Sequence, residues 1–267
     1  EELGQKLIVG RYIPVDSFVH RLDSRAKILA TIFYLVILFF ANNIITYSLL
    51  IAFVGVGIYL SRIPFSYFLR GVRPMIWLLI FTALLQALFT PGPNMLFQFA
   101  FVYISKEGIL KGLLIFIRFI LIIFISTLLT LSTEALDLTD AIEYFLKPLK
   151  VFHFPVHEMT LMLALALRFV PTMVDEAEVI VNAQKSRGVS FNEGTLMQRL
   201  KNIVPLLIPL FISSYDRAPQ LATAMEARGY RGGEDRTKYR ELSWGKWDTV
   251  VMTSFVALYS LVYMLRV

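Results

Sequence analysis

After Lys27 no charged residue occurs until Arg62, and after Arg73 none occurs until Lys106. A hydrocarbon core of ~30 Å takes about 20 helical residues to cross, so each charge-free interval can hold a membrane span. The first interval can hold two, joined at Asn42 and Asn43, whose polar side chains favour a tight turn. With 57% of its 267 residues hydrophobic, the chain is too apolar for an ordinary soluble domain. It reads as an all-α integral membrane protein with about five spans, at 26–42, 44–61, 73–90, 109–132 and 248–266.

Three regions follow. Residues 1–132 form an N-terminal bundle of about four spans, 133–247 a cytoplasmic or interfacial region of long amphipathic helices, and 248–267 a last span. With the N-terminus inside, the cytoplasmic side collects twenty-two Lys and Arg, and the outer side only Lys106, Lys111 and Arg266. That asymmetry fixes the expected orientation, since cytoplasmic loops carry the excess of positive charge. Cysteine is absent, which excludes disulfides and thiolate metal sites. Residues 1–25 are mixed and charged, so no cleavable signal is expected there.

Residues 133–247 resolve into three helical pieces. The first, "LTDAIEYFLKPL", has start signals at Thr139 and Asp140 and stops near Pro148. The second runs from about His157 to Arg187, with a bend expected at Pro171, where an N–H is missing. Its first half is apolar all round and its second half amphipathic. The third, about 196–228, has the same plan. Its "NIVPLLIPLFISSY" is short for a span, which makes it an interfacial helix or one packed under the bundle. Fourteen polar-half residues would carry each helix end roughly 20 Å away from the membrane.

Those ends are alike. "NAQKSRGVS" and "TAMEARGYR" align over Ala183, Arg187 and Gly188 against Ala224, Arg228 and Gly229, and Asp175 and Ala177 fall on Asp216 and Ala218. Arg in a last helical turn followed by Gly is ordinary capping chemistry. Capping alone, however, requires neither the repeat nor the reach. A planar guanidinium on a rigid tip fits a carboxylate-lined groove on a partner, and two tips fit two copies of that partner.

"LRFVPTMVDEAEVIVNAQKSRG", "DRAPQLATAMEARGY" and the N-terminal "HRLDSRAKIL" together resemble the T component of energy-coupling factor transporters. Ser24 stands where that family usually has Pro, and the first tip is Ser-Arg-Gly where the second is Ala-Arg-Gly. The resemblance implies a membrane scaffold in a bacterial cell membrane, with the N-terminus and coupling region cytoplasmic. It implies as partners two ABC ATPase subunits and one small hydrophobic substrate-binding S component, for vitamin or metal-ion uptake. Ser186, Arg187, Gly188, Ala227, Arg228 and Gly229 would dock the ATPases. Met159, Met162, Leu163, Leu206, Leu207, Leu210 and Phe211 would form an S-component platform, the alternative being internal packing. The rival to this reading is a conventional ABC permease with its own substrate path.

This chain lacks a Walker-type G-x-x-x-x-G-K-S/T, G-x-S-x-G and H-E-x-x-H, so neither ATP binding nor catalysis is expected of it. ATP and Mg belong to the partner ATPases, this chain needs no cofactor, and no nucleic-acid partner is expected. Four further features carry weaker readings. His153 and His157 have metal-pair spacing but flank Pro155. Arg118 is either a functional intramembrane charge or a snorkelling one. Gly108 and Gly112 can set a close helix contact. Arg228, Arg231, Arg236, Lys238 and Arg240 suit anionic lipid or the ATPases.

Overall fold

The computed structural model describes residues 12–91, 95–99, 102–152, 155–191, 193, 195–232 and 242–266. They form two compact units, one of Gly10–Ala141 with Leu242–Val267 and one containing Ile142–Glu241.

The first unit is a bundle of apolar helices. Helix α1 (Ser24–Phe40) is capped by Asp23, whose carboxylate accepts the Arg25 N–H at 2.8 Å. The chain turns at Asn43, where the Thr46 hydroxyl accepts the Asn43 N–H at 3.2 Å, and α2 (Ile44–Ser61) begins. The span expected at 73–90 is α4 (Ile76–Phe89), and a short helix not foreseen there, α3 (Phe65–Val72), precedes it at a bend of 63°. Pro74 has no N–H with which to carry the ladder across the break, and the turn closes by the Met75 N–H on the Val72 carbonyl at 2.9 Å. An antiparallel hairpin, β1 (Met95–Phe99) and β2 (Val102–Ser105), follows. Apolar residues without helical start signals gave no hint of it.

Ser105 then caps α5 (Lys106–Ser132), accepting the Gly108 N–H at 2.9 Å. Helix α6 (Ala135–Leu146) starts four residues before Thr139. Thr139 is no cap: its hydroxyl donates to the Ala135 carbonyl at 2.9 Å. Helix α9 (Lys246–Met264) closes the unit. Helices α2, α5 and α9 are long and apolar enough to cross a membrane, and the bent pair is a fourth crossing if it acts as one span. Helix α1, at 17 residues, rises about 25 Å. The chain is an all-α membrane protein with one short hairpin among its described residues.

Close approach sets the packing of α4 on α5. A Cβ on Gly108 would lie 2.9 Å from the Ala87 carbonyl oxygen, and one on Gly112 2.6 Å from that of Ala83. The glycine pair therefore lets two backbones touch. Tyr34, Tyr47, Leu50, Phe68, Leu121 and Phe255 lie in the interior.

The second unit contains a 3-10 turn (Lys147–Phe152) and two long helices, α7 (Val156–Ser186) and α8 (Leu196–Ala227). Pro171 lies inside α7, which continues through it as α-helix, and α8 contains Pro205, Pro209 and Pro219. The apolar run 202–215 is thus the middle of a 32-residue helix and no separate element.

Candidate functional site

The two repeated ends have one backbone geometry. Arg187 terminates α7 at φ −86°, ψ 4°, and Arg228 terminates α8 at φ −86°, ψ 8°. Gly188 (φ 86°) and Gly229 (φ 79°) then take the left-handed conformation. The Gly188 N–H donates to Lys185 O at 3.0 Å and the Val189 N–H to Gln184 O at 3.0 Å. The second end repeats both bonds, Gly229 to Glu226 O at 2.8 Å and Tyr230 to Met225 O at 3.0 Å. This pair of bonds is the Schellman motif. It accounts for both glycines, because a side chain at positive φ is strained.

It does not account for the arginines. Ser186, Arg187, Ala227 and Arg228 are exposed, and a Cβ on either tip glycine would have nothing within 4 Å. Neither guanidinium forms an ion pair or hydrogen bond among the described residues. Both forks therefore point five donors at solvent with a bare backbone beside them, which is an arrangement that can clamp a carboxylate in two bonds.

Upstream, the helices cross through residues that sequence reading did not single out. The Glu176 carboxylate pairs with Arg217 and accepts the Ser213 hydroxyl at 3.1 Å. The Ser214 hydroxyl donates to the Met173 sulfur at 3.2 Å, and the Arg217 guanidinium lies 5.8 Å from the Phe169 ring centre. Glu176 and Arg217 are forty-one residues apart, as are Met173 and Ser214. That is the offset of the repeat itself. Equivalent positions meet each other, as at a two-fold axis. The signal was available, since extending the alignment by one residue past Asp175 and Asp216 puts an acid opposite a base.

Of the proposed platform, Met159, Met162, Leu163, Leu207 and Phe211 are exposed and Leu206 and Leu210 half-buried. Together with exposed Val204, Ile208 and Ile212 they leave a long apolar surface.

The N-terminal signature is a clasp. The Asp23 N–H donates to Asp248 at 2.9 Å, Arg25 donates to the Leu242 carbonyl at 3.0 Å, and buried Lys27 donates to His20 O and Ser132 O at 3.0 and 2.9 Å. Three separate chain segments are joined at the start of α1. Burial holds the His20 imidazole below its ordinary pKa.

Arg118 is also structural. It donates to the Tyr47 hydroxyl at 2.8 Å and the Ala41 carbonyl at 3.1 Å, closing the end of α1. His157 faces buried Glu143 at 3.9 Å, and no group of three or more acidic or histidine residues among those described could hold a metal ion. His153, Arg236, Lys238 and Arg240 lie outside the described residues.

The family model that matches, over residues 16–239, is described as a cobalt transport protein, CbiQ. The chain is 55% identical to the energy-coupling factor transporter transmembrane protein EcfT of Streptococcus equi subsp. equi (strain 4047), over 95% of this chain and 94% of that protein. It is 51% identical to the protein of that name from Streptococcus thermophilus (strain ATCC BAA-250 / LMG 18311), over 98% and 99%. Identity to that of Bacillus subtilis (strain 168) is 46%, over 97% and 98%.

Proposed function

The chain belongs to the family of energy-coupling factor transporter transmembrane proteins, and from that premise we propose that it couples two ABC ATPase subunits to one small hydrophobic substrate-binding component during uptake of a vitamin or metal ion. The observation that carries this is the pair of superimposable Arg-Gly ends on helices that cross at equivalent positions. Each tip docks one ATPase, and the exposed apolar length of α7 and α8 holds the substrate-binding component. The chain itself performs no chemistry; ATP and Mg act in the ATPases.

The energetic scale is adequate. Shifting a two-state population from 1:99 to 99:1 takes about 5.5 kcal/mol. A hydrogen bond to a charged group contributes roughly 1.5–3 kcal/mol, so two bidentate tips reach that order.

The test is reconstituted transport measured beside ATP turnover. Arg187→Ala with Arg228→Ala should abolish uptake, either by leaving hydrolysis uncoupled or by releasing the ATPases. Lys at either site should rescue poorly, because a point charge lacks the fork. Near-normal uptake by the double variant would reduce both tips to helix caps. A conventional permease is distinguished by a mass-spectrometric subunit count, which should return two ATPase chains and one small hydrophobic partner. For orientation, single cysteines at Asn42 and Ser190 should react with impermeant reagent from outside and inside respectively.

A further inference from the structure

The bundle contains an apolar cavity of about 290 Å³, lined among others by Leu22, Ala30, Val54, Gly57, Leu128 and Phe255. Its mouth is marked by Val56 and Leu60, which line it and are exposed. Its lining is mostly apolar, with Lys27, Thr31, Ser132 and Ser254 as the polar members, and it is built from helices of a membrane bundle, where hydrocarbon is the solvent. A second cavity, of about 430 Å³, shares Phe18 and Leu22 with the first. Its lining is of another kind, with Asp16, Arg21, Arg62, Trp247 and Asp248. One residue, Ser61, separates Leu60 in one wall from Arg62 in the other.

The polar cleft holds two arginines and two aspartates, and Arg62 lies within electrostatic reach of Asp16. Asp16 is taken by Arg21, at 2.8 Å, and Asp248 by the N–H groups of Asp23 and Gly245, at 2.9 and 2.7 Å. Arg62 is exposed, and its side chain has no hydrogen bond or ion pair among the described residues. It also sits at φ 55°, the one non-glycine at positive φ among the described residues, in a helix-terminating position where Gly is usual. Trp247, exposed and edge-on to Phe18 at 5.5 Å, has the amphipathic ring found at membrane interfaces. Strain retained at a site is a pointer to use.

We propose that this double cavity binds one anionic glycerophospholipid of the bilayer, an acyl chain in the apolar chamber and the phosphate at Arg62. The inference is independent of how the two helix tips act. A zwitterionic lipid fills the same chamber but gains less at the cleft. A free phosphate has the anion without the chain.

Native mass spectrometry of the purified transporter, offered dioleoyl phosphatidylglycerol, dioleoyl phosphatidylcholine or excess inorganic phosphate, tests it. The unmodified chain should retain one phosphatidylglycerol, about fivefold more than phosphatidylcholine, the ratio set by one cation near the surface. Gly57→Leu, whose side chain enters the chamber beside Leu128, should lower retention of both lipids more than about tenfold, since each displaced methylene costs roughly a factor of four. Val56→Trp, at an exposed position on the rim, blocks the mouth and should act in the same direction. Arg62→Gly relieves the backbone, so it folds, and should bring phosphatidylglycerol down to the phosphatidylcholine level. Unchanged retention in Val56→Trp and Arg62→Gly would overturn the proposal. So would displacement of the lipid by inorganic phosphate alone, or equal retention of the two lipids by the unmodified chain.

Discussion

Helix α1 buries eight of its 17 residues, including Tyr34, Ile37 and Leu38. Helix α7 buries only Val156 and Thr160 of 31, and α8 buries none of its described residues. Both regions are rich in Leu, Ile, Val and Phe, so hydrophobicity does not separate them. What separates them is company. In the bundle the helices share an apolar interior, with backbones drawn together at Gly108 and Gly112, although faces such as Phe33, Trp77 and Phe81 stay exposed. In the arm pair two long helices meet at a polar crossing, and their apolar faces are left for something else. A helix draws most of its stability from such packing, so the bundle is a structure in itself and the arms are half of one.

That contrast can be broken most forcefully at Gly112. Gly112→Leu would drive a Cβ to 2.6 Å from the Ala83 backbone oxygen, and should destabilise the bundle by about 3 kcal/mol or more. Thermal unfolding in detergent reads it; an unchanged midpoint would mean that the α4–α5 contact is not tight. The same substitution at Gly188 meets open space and should cost only the price of positive φ, about 1 kcal/mol.

Next in size is the pH response of the bundle. Burial depresses the His20 pKa in the folded state, so the unfolded chain takes up a proton first as pH falls. Stability should be full above about pH 6.5 and decline below it, at no more than about 1.4 kcal/mol per pH unit. The decline stops once pH drops below the folded pKa. His20→Gln should flatten that slope, and a slope unchanged by it would assign the proton elsewhere.

At the crossing, Arg217→Ala should loosen the arms by about 1 kcal/mol. That figure is discounted because both partners retain more than a quarter of their side-chain exposure. Hydrogen exchange should rise in 169–181 and 210–222 and stay unchanged in α2 and α5. The charge-swapped double variant, Glu176→Arg with Arg217→Glu, should restore protection, since equivalent positions can exchange roles. Failure of the swap would show that the surroundings of the two positions are not interchangeable.

The smallest structural effect belongs to the tips. Arg187→Ala and Arg228→Ala should each change thermal stability by less than about 0.5 kcal/mol, because both side chains are exposed and neither forms an ion pair or hydrogen bond among the described residues. A larger loss would mean that the guanidiniums hold the helix ends together.

Charge-free intervals and Arg-Gly punctuation made the spans and the helix ends readable to within a few residues. The Asn42–Asn43 turn and the ends at Arg187 and Arg228 follow from local chemistry, which a sequence displays directly. Proline acts differently at two places: Pro74 stands in the break between α3 and α4, whereas Pro171 lies inside α7 without ending it. One lost N–H is the same event in each case, and the outcome depends on how much helix flanks it and what packs there. The crossing was hidden for another reason. Glu176 and Arg217 look like two more charges on polar faces until the repeat offset is treated as a distance in space.

Equal offsets have a mechanical consequence. From Glu176 to Arg187 and from Arg217 to Arg228 the chain advances the same number of residues, so each tip stands at the end of a lever of about 16 Å from a shared fulcrum. Equal pushes on the two tips then turn the helices through equal and opposite angles. A push on one tip alone produces a torque that its counterpart must resist. On the proposed function, partners gripping the two ends would act through levers of equal length, and the motion passed beyond the fulcrum would be a scissoring of two long apolar blades.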